Sequence, residues 1–278
     1  MFLLEAYELS PSPIVKGFFV ERFNVLIENT LFGIDNKVEK AIETLKYFEP
    51  REGFYVAFSG GKDSIVIKDL CKIANVKYDV HYQNTTIDPP EVVSFIRKYH
   101  PNVRMHYPPR PYFKELVKRG FPMRQNRWCC EFLKEYGGKN RIVITGIRSQ
   151  ESVRRRQRRM FESCTKKYMR KQYLNIILAW TEKEVWEYIR KYKLPYCKLY
   201  DIGFKRIGCI GCPLIYWKTR LGELGRYPSI LNAYMKAFAK LYNKNKDRDS
   251  YQRWSSYEEM FLWWIKTKKQ DEDMPLFA

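Results

Sequence analysis

The fold is decided by residues 54–64, which read Phe-Tyr-Val-Ala-Phe-Ser-Gly-Gly-Lys-Asp-Ser. Phe54–Phe58 is a short apolar run typical of a buried strand, and Ser64–Ala74 has the apolar spacing of a helix. Between them, Gly60 and Gly61 lack Cβ atoms, so the backbone can turn sharply and bring its N–H groups against an anion. The stretch therefore predicts a phosphate-binding loop between a strand and a helix.

The polar side chains of this loop agree with that interpretation. Ser59 and Ser64 offer hydroxyl groups, and Lys62 offers a positive charge. Asp63 can cap the helix or help to hold Mg²⁺, and the positive end of the helix dipole points to the same place. The spacing differs from the Walker pattern Gly-x-x-x-x-Gly-Lys. A flexible Ser-Gly-Gly turn is the alternative, but the flanking strand and helix favour an anion loop.

The same alternation of strand and helix continues along the chain. Thr181 and Glu184 form a capping-box pattern at the start of one predicted helix. The predicted strands are 54–58, 77–82, 103–106, 141–145 and 174–178, and the predicted helices are 37–48, 64–74, 90–99, 112–119, 128–136, 181–192 and 257–266. This order predicts an α/β fold with a twisted parallel sheet, helices on both faces and ligands at the carboxyl ends of the strands.

Three regions follow from these patterns. Residues 1–36 are an N-terminal extension, residues 37–213 a nucleotide-binding domain with a cysteine site, and residues 214–278 a helical, aromatic and basic region. The C-terminal region offers rings and charges that suit stacking on nucleic acid, although tryptophans at helical spacing are more often buried in a core. These side chains are Trp254, Tyr257, Trp263, Trp264, Lys266, Lys268 and Lys269.

The composition indicates the cellular compartment and the class of binding partner that we expect. The 278 residues contain 51 lysines and arginines against 31 acidic residues, a net charge of +20. Such a field attracts nucleotides, nucleic acid or other polyanions, while a solvated lysine-rich surface is the alternative. No apolar run reaches the roughly 18 residues of a membrane span. We therefore expect a cytoplasmic chain with no membrane partner, and self-association into a homo-oligomer is compatible with it.

Seven cysteines favour metal binding over disulfides, because their number is odd and no secretory signal precedes them. Cys129 and Cys130 are adjacent, and Cys209 and Cys212 form a Cys-x-x-Cys pair. Soft thiolates suit either zinc or an iron–sulfur cluster, and spacing alone does not separate the two. Ordinary free thiols remain a third interpretation.

An arginine-rich segment follows the predicted strand 141–145. It begins at Arg148 and continues through residues 154–159, where guanidinium groups could pair with phosphate or sulfate. Cys164 lies just beyond, and these charges could activate it as a thiol nucleophile; a bystander thiol is the plainer interpretation. The three histidines, at positions 81, 100 and 106, show no ligand or triad spacing.

Taken together, these motifs resemble the phosphoadenosine-phosphosulfate (PAPS) reductase family of the pyrophosphatase-loop, or adenine nucleotide α-hydrolase-like, superfamily. The resemblance covers roughly residues 50–213. It rests on Ser59–Ser64, Asn84-Thr85-Thr86 with Asp88 and Glu91, Arg127-Trp128-Cys129-Cys130, Gly146-Ile147-Arg148 with Glu151-Ser152, Trp180-Thr181 with Val185-Trp186, and Leu199-Tyr200-Asp201-x-Gly203-Phe204 running to Cys209.

The resemblance implies a nucleotide site and a cluster. The implied nucleotide-binding residues are Ser59, Gly60, Gly61, Lys62, Asp63, Ser64, Thr85, Gly146 and Arg148. The candidate catalytic residues are Lys62, Asp63 and Arg148, together with Cys164, which is a candidate only from its position after the arginine segment. The four cysteines resemble the [4Fe–4S] motif of the adenylylsulfate (APS) branch of the family.

Three functions are compatible with this fold. In the first, ATP is split between its α and β phosphates with Mg²⁺, an acceptor is adenylated, and a sulfur donor displaces AMP; relatives of this kind act on tRNA or DNA. In the second, APS or PAPS is reduced to sulfite with a thioredoxin- or ferredoxin-like reductant, but the Glu-Cys-Gly tail motif of such reductases is not found after Cys212. In the third, the chain is a non-catalytic nucleotide-binding subunit of a sulfur-handling complex. The sequence favours the first.

Overall fold

The computed structural model describes residues 27–30, 33–164 and 167–266. The strands are β1 (Ile27–Thr30), β2 (Gly33–Asn36), β3 (Phe54–Ala57), β4 (Tyr78–Gln83), β5 (Arg104–His106), β6 (Ile142–Ile144), β7 (Phe161–Ser163) and β8 (Gln172–Leu174). The α-helices are α1 (Lys37–Tyr47), α2 (Lys62–Ala74), α3 (Pro90–Tyr99), α4 (Tyr112–Arg119), α5 (Trp128–Leu133), α6 (Val153–Arg156), α7 (Glu182–Lys191), α8 (Trp217–Arg226), α9 (Pro228–Asn245) and α10 (Tyr257–Ile265).

Six of the strands form one sheet in the order β5-β4-β3-β6-β8-β7. Every pair is parallel except β7 and β8, which are antiparallel. After β3, strands β4 and β5 are added on one side of β3, and β6 and β8 are then added on its other side. The predicted α/β class with a mostly parallel sheet, helices and a helical C-terminal region is confirmed.

Two apolar cores hold the molecule together. The first joins β3 and its neighbouring strands to α1, α2, α3 and α7. The second joins α4 and α5 to α8, α9 and α10. The C-terminal helices thus share a core with two helices from the predicted nucleotide-binding region, and the domain boundary at residue 214 stays a prediction. None of the described helices is both long and apolar enough to cross a bilayer.

Local capping explains where several helices begin. The Thr181 hydroxyl accepts the Glu184 N–H at 3.3 Å, and the Glu184 carboxylate accepts the Thr181 N–H at 2.6 Å, so the predicted capping box forms. Asn36 caps α1 through its side-chain oxygen, which accepts from the Val38 N–H at 3.1 Å. These contacts satisfy backbone donors that have no partner within their own helix.

Two predicted elements are wrong in position. The strand expected at 174–178 lies at Gln172–Leu174, and residues 176–179 form a turn. The helix expected at 128–136 ends at Leu133. In addition, β7 and the hairpin of β1 and β2 were missed because each is short and carries little alternation.

The aromatic residues of the C-terminal region mostly face the core. Trp254 and Trp264 are 4% and 1% exposed, and the Trp264 indole N–H donates to the Pro122 carbonyl at 2.7 Å. Their burial favours the core interpretation over stacking on nucleic acid. Lys268 and Lys269 lie outside the described residues.

A buried histidine makes stability depend on pH. His100 is 7% exposed, and the Lys68 ammonium lies 2.9 Å from its Nδ1. Burial, reinforced by the Lys68 charge, lowers the pKa of His100 from 6.5 to about 4. Because the folded state favours the neutral ring, this contribution to stability is full above pH 6.5 and is lost as the pH falls toward 4.

We expect the free energy of unfolding to fall by about 2 kcal/mol between about pH 7.5 and pH 5 from this group. Urea unfolding at the two pH values measures it, with His100→Asn as the comparison because the Asn oxygen can replace Nδ1. An equal fall in the variant would contradict the assignment to His100.

Candidate active site

The loops predicted to bind the nucleotide meet between β3 and β6, where the order in which strands are added to the sheet changes direction. Strands β3 and β6 are neighbours, and the loops that leave their carboxyl ends enclose a crevice at this topological switch point. A Cβ placed on Gly146, after β6, would lie 3.0 Å from both the carbonyl carbon and the Cβ of Asp63, after β3. The two loops therefore approach closely because residue 146 has no side chain.

We predict that Gly146→Ala lowers the free energy of unfolding by about 1–3 kcal/mol, because the added methyl meets backbone that cannot move aside cheaply. Gly222→Ala is the matched control, since a Cβ on Gly222 in α8 meets no atom of the described residues within 4 Å. That control is expected to be neutral or stabilising, as alanine is the better helix former. Thermal and urea unfolding compare the two variants; equal stability would show that the loops tolerate separation.

The phosphate loop is already ordered by its own hydrogen bonds. The Gly61 N–H donates to the Ser59 hydroxyl at 3.3 Å, and the Ser64 hydroxyl donates to the Gly61 carbonyl at 2.8 Å. Gly60 has φ +73, and a Cβ there would lie 3.0 Å from the Val92 side chain. Helix α2 begins after Gly61, so Asp63 lies in its first turn and is not its cap.

Lys62 is held by the segment that follows β8. It is 4% exposed, and its Nζ lies 3.2 Å from a Glu182 carboxylate oxygen and 3.1 Å from the Lys205 carbonyl oxygen. The Lys62 N–H donates to the Tyr200 hydroxyl at 3.0 Å. A phosphate that used this N–H would have to displace the Tyr200 hydroxyl, so Tyr200 stands at the entrance to the loop.

Arg148 and Asp63 form a buried ion pair across the crevice. The Arg148 Nε donates to Asp63 Oδ1 at 2.6 Å, and Arg148 is 3% exposed. Burial raises the pKa of Asp63, and the charges of Arg148 and Lys62 oppose that rise. The Arg148 main-chain N–H donates to Glu151 at 2.9 Å, and Nη1 donates to Gln150 at 3.1 Å. The guanidinium is thus fixed beside the phosphate loop.

A cavity of about 160 Å³ adjoins the loop at the carboxyl ends of β3 and β4. Within it, the rings of Tyr55 and His81 stack with centroids 3.9 Å apart. Mixed aromatic and polar walls of this kind suit a planar heterocycle that carries hydrogen-bonding groups. The lining residues are Tyr55, Ala57, Phe58, Ser59, His81, Tyr82, Gln83, Asp88, Val92, Lys134, Ile207 and Gly208.

The cavity leads toward the cysteines. Lys134 lies 4.0 Å from Asp88, and its ammonium also faces the Cys209 thiol. Thr85 is 1% exposed; its N–H donates to Asp88 at 2.9 Å and its side chain hydrogen-bonds with Cys209. Thr85, which the sequence assigned to the nucleotide, therefore lies at the junction between cavity and cysteines.

The four predicted ligand cysteines are brought into one neighbourhood. A hydrogen bond between the thiols of Cys129 and Cys130 raises the pKa of Cys129 and lowers that of Cys130. The Cys209 and Cys212 groups also contribute to the raised pKa of Cys129, and burial raises the pKa of Cys209 to about 12. Four neighbouring thiols fit zinc or an iron–sulfur cluster in their chemistry. Among the residues that the structure describes, no three potential ligands are arranged around a single metal position.

Cys164 is not brought to this site. Its N–H donates to the Lys171 carbonyl at 2.9 Å, just before β8 begins. Because β7 runs antiparallel to β8, it carries Cys164 to the amino-terminal edge of the parallel strands, opposite the crevice. The tyrosine hydroxyl of residue 173 donates to the Cys164 sulfur at 3.8 Å. In this arrangement the thiol lies at the edge of the sheet opposite the crevice.

The rest of the arginine segment is largely exposed. Arg154 and Arg156 lie on the short helix α6, while Arg155 pairs with Glu151 and Arg158 with Glu162. Only Arg148 reaches the phosphate loop in the part of the segment that the structure describes.

Comparison with known proteins identifies the family. Residues 53–215 match the sequence profile of the phosphoadenosine phosphosulfate reductase domain. The chain belongs to the PAPS reductase family. The predicted resemblance is confirmed for the family and its fold, whereas the four-cysteine motif is not tested by this match.

Individual members of the PAPS reductase family and one solved structure give the scale of the similarity. An uncharacterized protein of Methanocaldococcus jannaschii is 30% identical over 263 residues, covering 87% of this chain and 51% of its own length. An adenosine 5'-phosphosulfate reductase of Geobacillus thermodenitrificans is 30% identical over 212 residues, covering 67% and 84%. A crystal structure of PAPS reductase from Candida auris in a phosphate complex has a TM-score of 0.47 and 21% identity, covering 61% and 88%. The chain spans about half the length of the Methanocaldococcus relative.

Several residues that shape this PAPS reductase-family site were missed by sequence reasoning. Glu182 pairs with Lys62, Lys134 bridges cavity and cysteines, and Arg220 and Glu223 support the Cys209–Cys212 loop. Lys134 is a single charge with no motif around it, and Glu182 lies within the Trp180–Trp186 stretch, where the sequence pattern gave it no role of its own. Arg220 and Glu223 lie beyond the family match, and only their three-residue helical spacing could have paired them.

Proposed function

We propose that this chain is an enzyme that binds an adenine nucleotide in the crevice between β3 and β6 and uses ATP to activate an acceptor for sulfur transfer. The observation that carries the proposal is the phosphate loop facing the buried Arg148–Asp63 pair at the switch point. Family membership supports a nucleotide enzyme of sulfur metabolism. The proposed nucleotide contacts are Ser59, Gly60, Gly61, Lys62, Asp63, Ser64, Thr85, Gly146 and Arg148.

In the proposed reaction, an oxygen of the acceptor attacks the α-phosphorus, the bond to the β-phosphate oxygen breaks, and pyrophosphate leaves. The loop would hold the departing phosphates, and Arg148 would offset charge that develops on them. Asp63, in the first turn of α2, could share Mg²⁺ with the phosphates once it releases Arg148. A sulfur donor then displaces AMP from the activated acceptor.

The position of Cys164 supports this reaction over thiol attack on a sulfonate. Of the cysteines outside the four-cysteine set, Cys71 and Cys197 are buried in the first core, and Cys164 lies at the opposite edge of the sheet. A mechanism that needs no protein thiol in the crevice therefore suits these described residues best.

Reduction of APS to sulfite is the second candidate. The Geobacillus relative named an adenosine 5'-phosphosulfate reductase, 30% identical over most of its length, favours it. In that reaction a thiolate attacks the sulfonate sulfur, AMP leaves, and a thioredoxin-like dithiol releases sulfite from the resulting thiosulfonate. The thiol would have to come from Cys164 after rearrangement or from another protein chain, because all seven cysteines of this sequence are among the described residues.

We further propose that Cys129, Cys130, Cys209 and Cys212 bind a [4Fe–4S] cluster. What supports it is the donor chemistry and the shared neighbourhood of the four thiols beside the nucleotide cavity. Such a cluster would supply a fixed local charge next to the bound nucleotide. Zinc is the alternative occupant, distinguished by metal and sulfide analysis.

A nucleic-acid acceptor, either tRNA or DNA, is proposed from the charge of the chain. The net charge is +20, and exposed arginines of α6 lie on the segment that follows the crevice. Cations so placed would contact a phosphate backbone and make binding strongly salt-dependent.

Product analysis separates these candidates. The protein, prepared anaerobically with iron and sulfide, is incubated with ATP, APS or PAPS together with Mg²⁺ and a dithiol. Pyrophosphate and AMP from ATP, increased by tRNA or DNA, are the expected products. Sulfite from APS or PAPS would replace the proposal by the reductase, and nucleotide binding without turnover would indicate a binding subunit.

A further inference from the structure

The Cys209–Cys212 loop is fixed from outside by its backbone groups. The Ile210 N–H donates to the Ile87 carbonyl at 2.9 Å, and the Tyr234 hydroxyl donates to the Ile210 carbonyl at 2.9 Å. Gly211 has φ +73, and a Cβ there would lie 3.0 Å from the Tyr234 hydroxyl oxygen. The loop between these cysteines therefore has a set conformation that a neighbouring helix, α9, helps to impose.

Helix α8 holds the peptide groups of Gly211 on both sides. The Arg220 Nε donates to the Gly211 carbonyl at 2.9 Å, and the Glu223 carboxylate accepts the Gly211 N–H. Arg220 and Glu223 are three residues apart, so they project from the same face of the helix. One face of α8 thus clamps the midpoint of the Cys-x-x-Cys loop.

Arg220 is an unusual residue for a purely structural contact. It is 0% exposed, its guanidinium stacks 3.5 Å from the Trp264 ring centroid, and its Nη1 donates to the Trp264 carbonyl at 3.0 Å. Its Nη2 is buried and has no hydrogen-bond acceptor among the described residues, and Cys212 is among the groups that interact electrostatically with Arg220. A buried cationic donor without an acceptor is costly, so a negatively charged sulfur beside it would be stabilised.

We propose that Arg220 and Glu223 are positioning residues of the four-cysteine site, where they set the Cys209–Cys212 loop and direct Arg220 Nη2 to a thiolate sulfur of Cys212. This inference rests on the proposed metal site. It assigns α8, which lies beyond the family match at residues 53–215, to the support of that site. Residues that orient metal ligands in this way typically change metal affinity by about 10–100-fold when they are replaced.

The experiment uses the full chain reconstituted anaerobically with iron and sulfide. Iron and sulfide per chain are measured first, and then the rate at which a chelator removes iron from folded protein. The variants are Arg220→Lys, which keeps the charge but cannot bridge both carbonyls and a sulfur, and Glu223→Ala, which removes the acceptor for Gly211. Lys218→Met is the matched control, because it removes an exposed charge from the same helix.

We expect iron loss to be about 10–100-fold faster in Arg220→Lys and Glu223→Ala and unchanged in Lys218→Met. If Arg220→Lys does not fold, Glu223→Ala decides alone, since its half-buried side chain lies outside the apolar core. Wild-type rates of iron loss in folded Glu223→Ala would overturn the inference and leave the metal site standing. Failure of the wild-type chain to bind iron and sulfide would instead overturn the proposed metal site, and the inference with it.

Discussion

Arg148→Met is expected to lose about 2–3 kcal/mol of unfolding free energy, because it leaves the Asp63 carboxylate with the more distant Lys62 ammonium, 3.9 Å away, as its cationic partner. Arg148 is 3% exposed and its Nε lies 2.6 Å from Asp63, so little solvent screens the pair. The variant should also bind ATP at least about 30-fold more weakly, since a buried charge pair to phosphate is worth about 2 kcal/mol or more. Urea unfolding and calorimetric titration with ATP measure the two effects.

The double variant Asp63→Asn with Arg148→Met separates stability from binding. With neither charge present, no unpaired carboxylate remains, and most of the lost stability is expected to return. ATP binding should stay weak, because the guanidinium that faces the phosphates is still absent. If the stable double variant binds ATP as tightly as wild type, Arg148 is a structural residue and the proposed nucleotide site is wrong.

Local features of this chain were predictable because their causes are local. The strand-loop-helix at Phe54–Ala74 and the capping box of Thr181 and Glu184 each depend on residues a few positions apart. The adjacency of the Ser59–Ser64 loop and Arg148 also followed, since carboxyl ends of parallel strands meet at one edge of a sheet. Element order and motif position therefore predicted the fold and the centre of the crevice.

Most of the contacts that were missed join distant parts of the chain. Tyr200 and Glu182 reach Lys62 only because the segment after β8 folds back over the loop. The three residues of β7 did not predict that this strand runs antiparallel to β8. Because it does, Cys164 lies at the edge of the sheet away from the crevice. Likewise, the second core joins α4 and α5 to helices about 100 residues later, which periodicity within each helix does not reveal.

The position of Cys164 gives the cysteine proposal its matched control. Both Cys209→Ser and Cys164→Ser remove one half-buried thiol and add a hydroxyl of similar size. Only Cys209 lies with the other proposed ligands, next to Lys134 and Thr85. The two substitutions therefore make the same chemical change to the side chain, at the proposed metal site in one case and away from it in the other.

Cys209→Ser is expected to lose most of its iron and sulfide and the broad absorbance at about 400 nm, because a serine hydroxyl is a poor ligand for a soft iron–sulfur centre. Cys164→Ser is expected to keep its iron, its sulfide and its absorbance at about 400 nm, and to form the same nucleotide products as wild type. Metal analysis, sulfide assay and absorbance after anaerobic reconstitution make the comparison. One zinc and no sulfide in the wild type would assign zinc to the site. Loss of sulfite formation in Cys164→Ser would instead favour the reductase, with the thiol reaching the crevice by a rearrangement of β7.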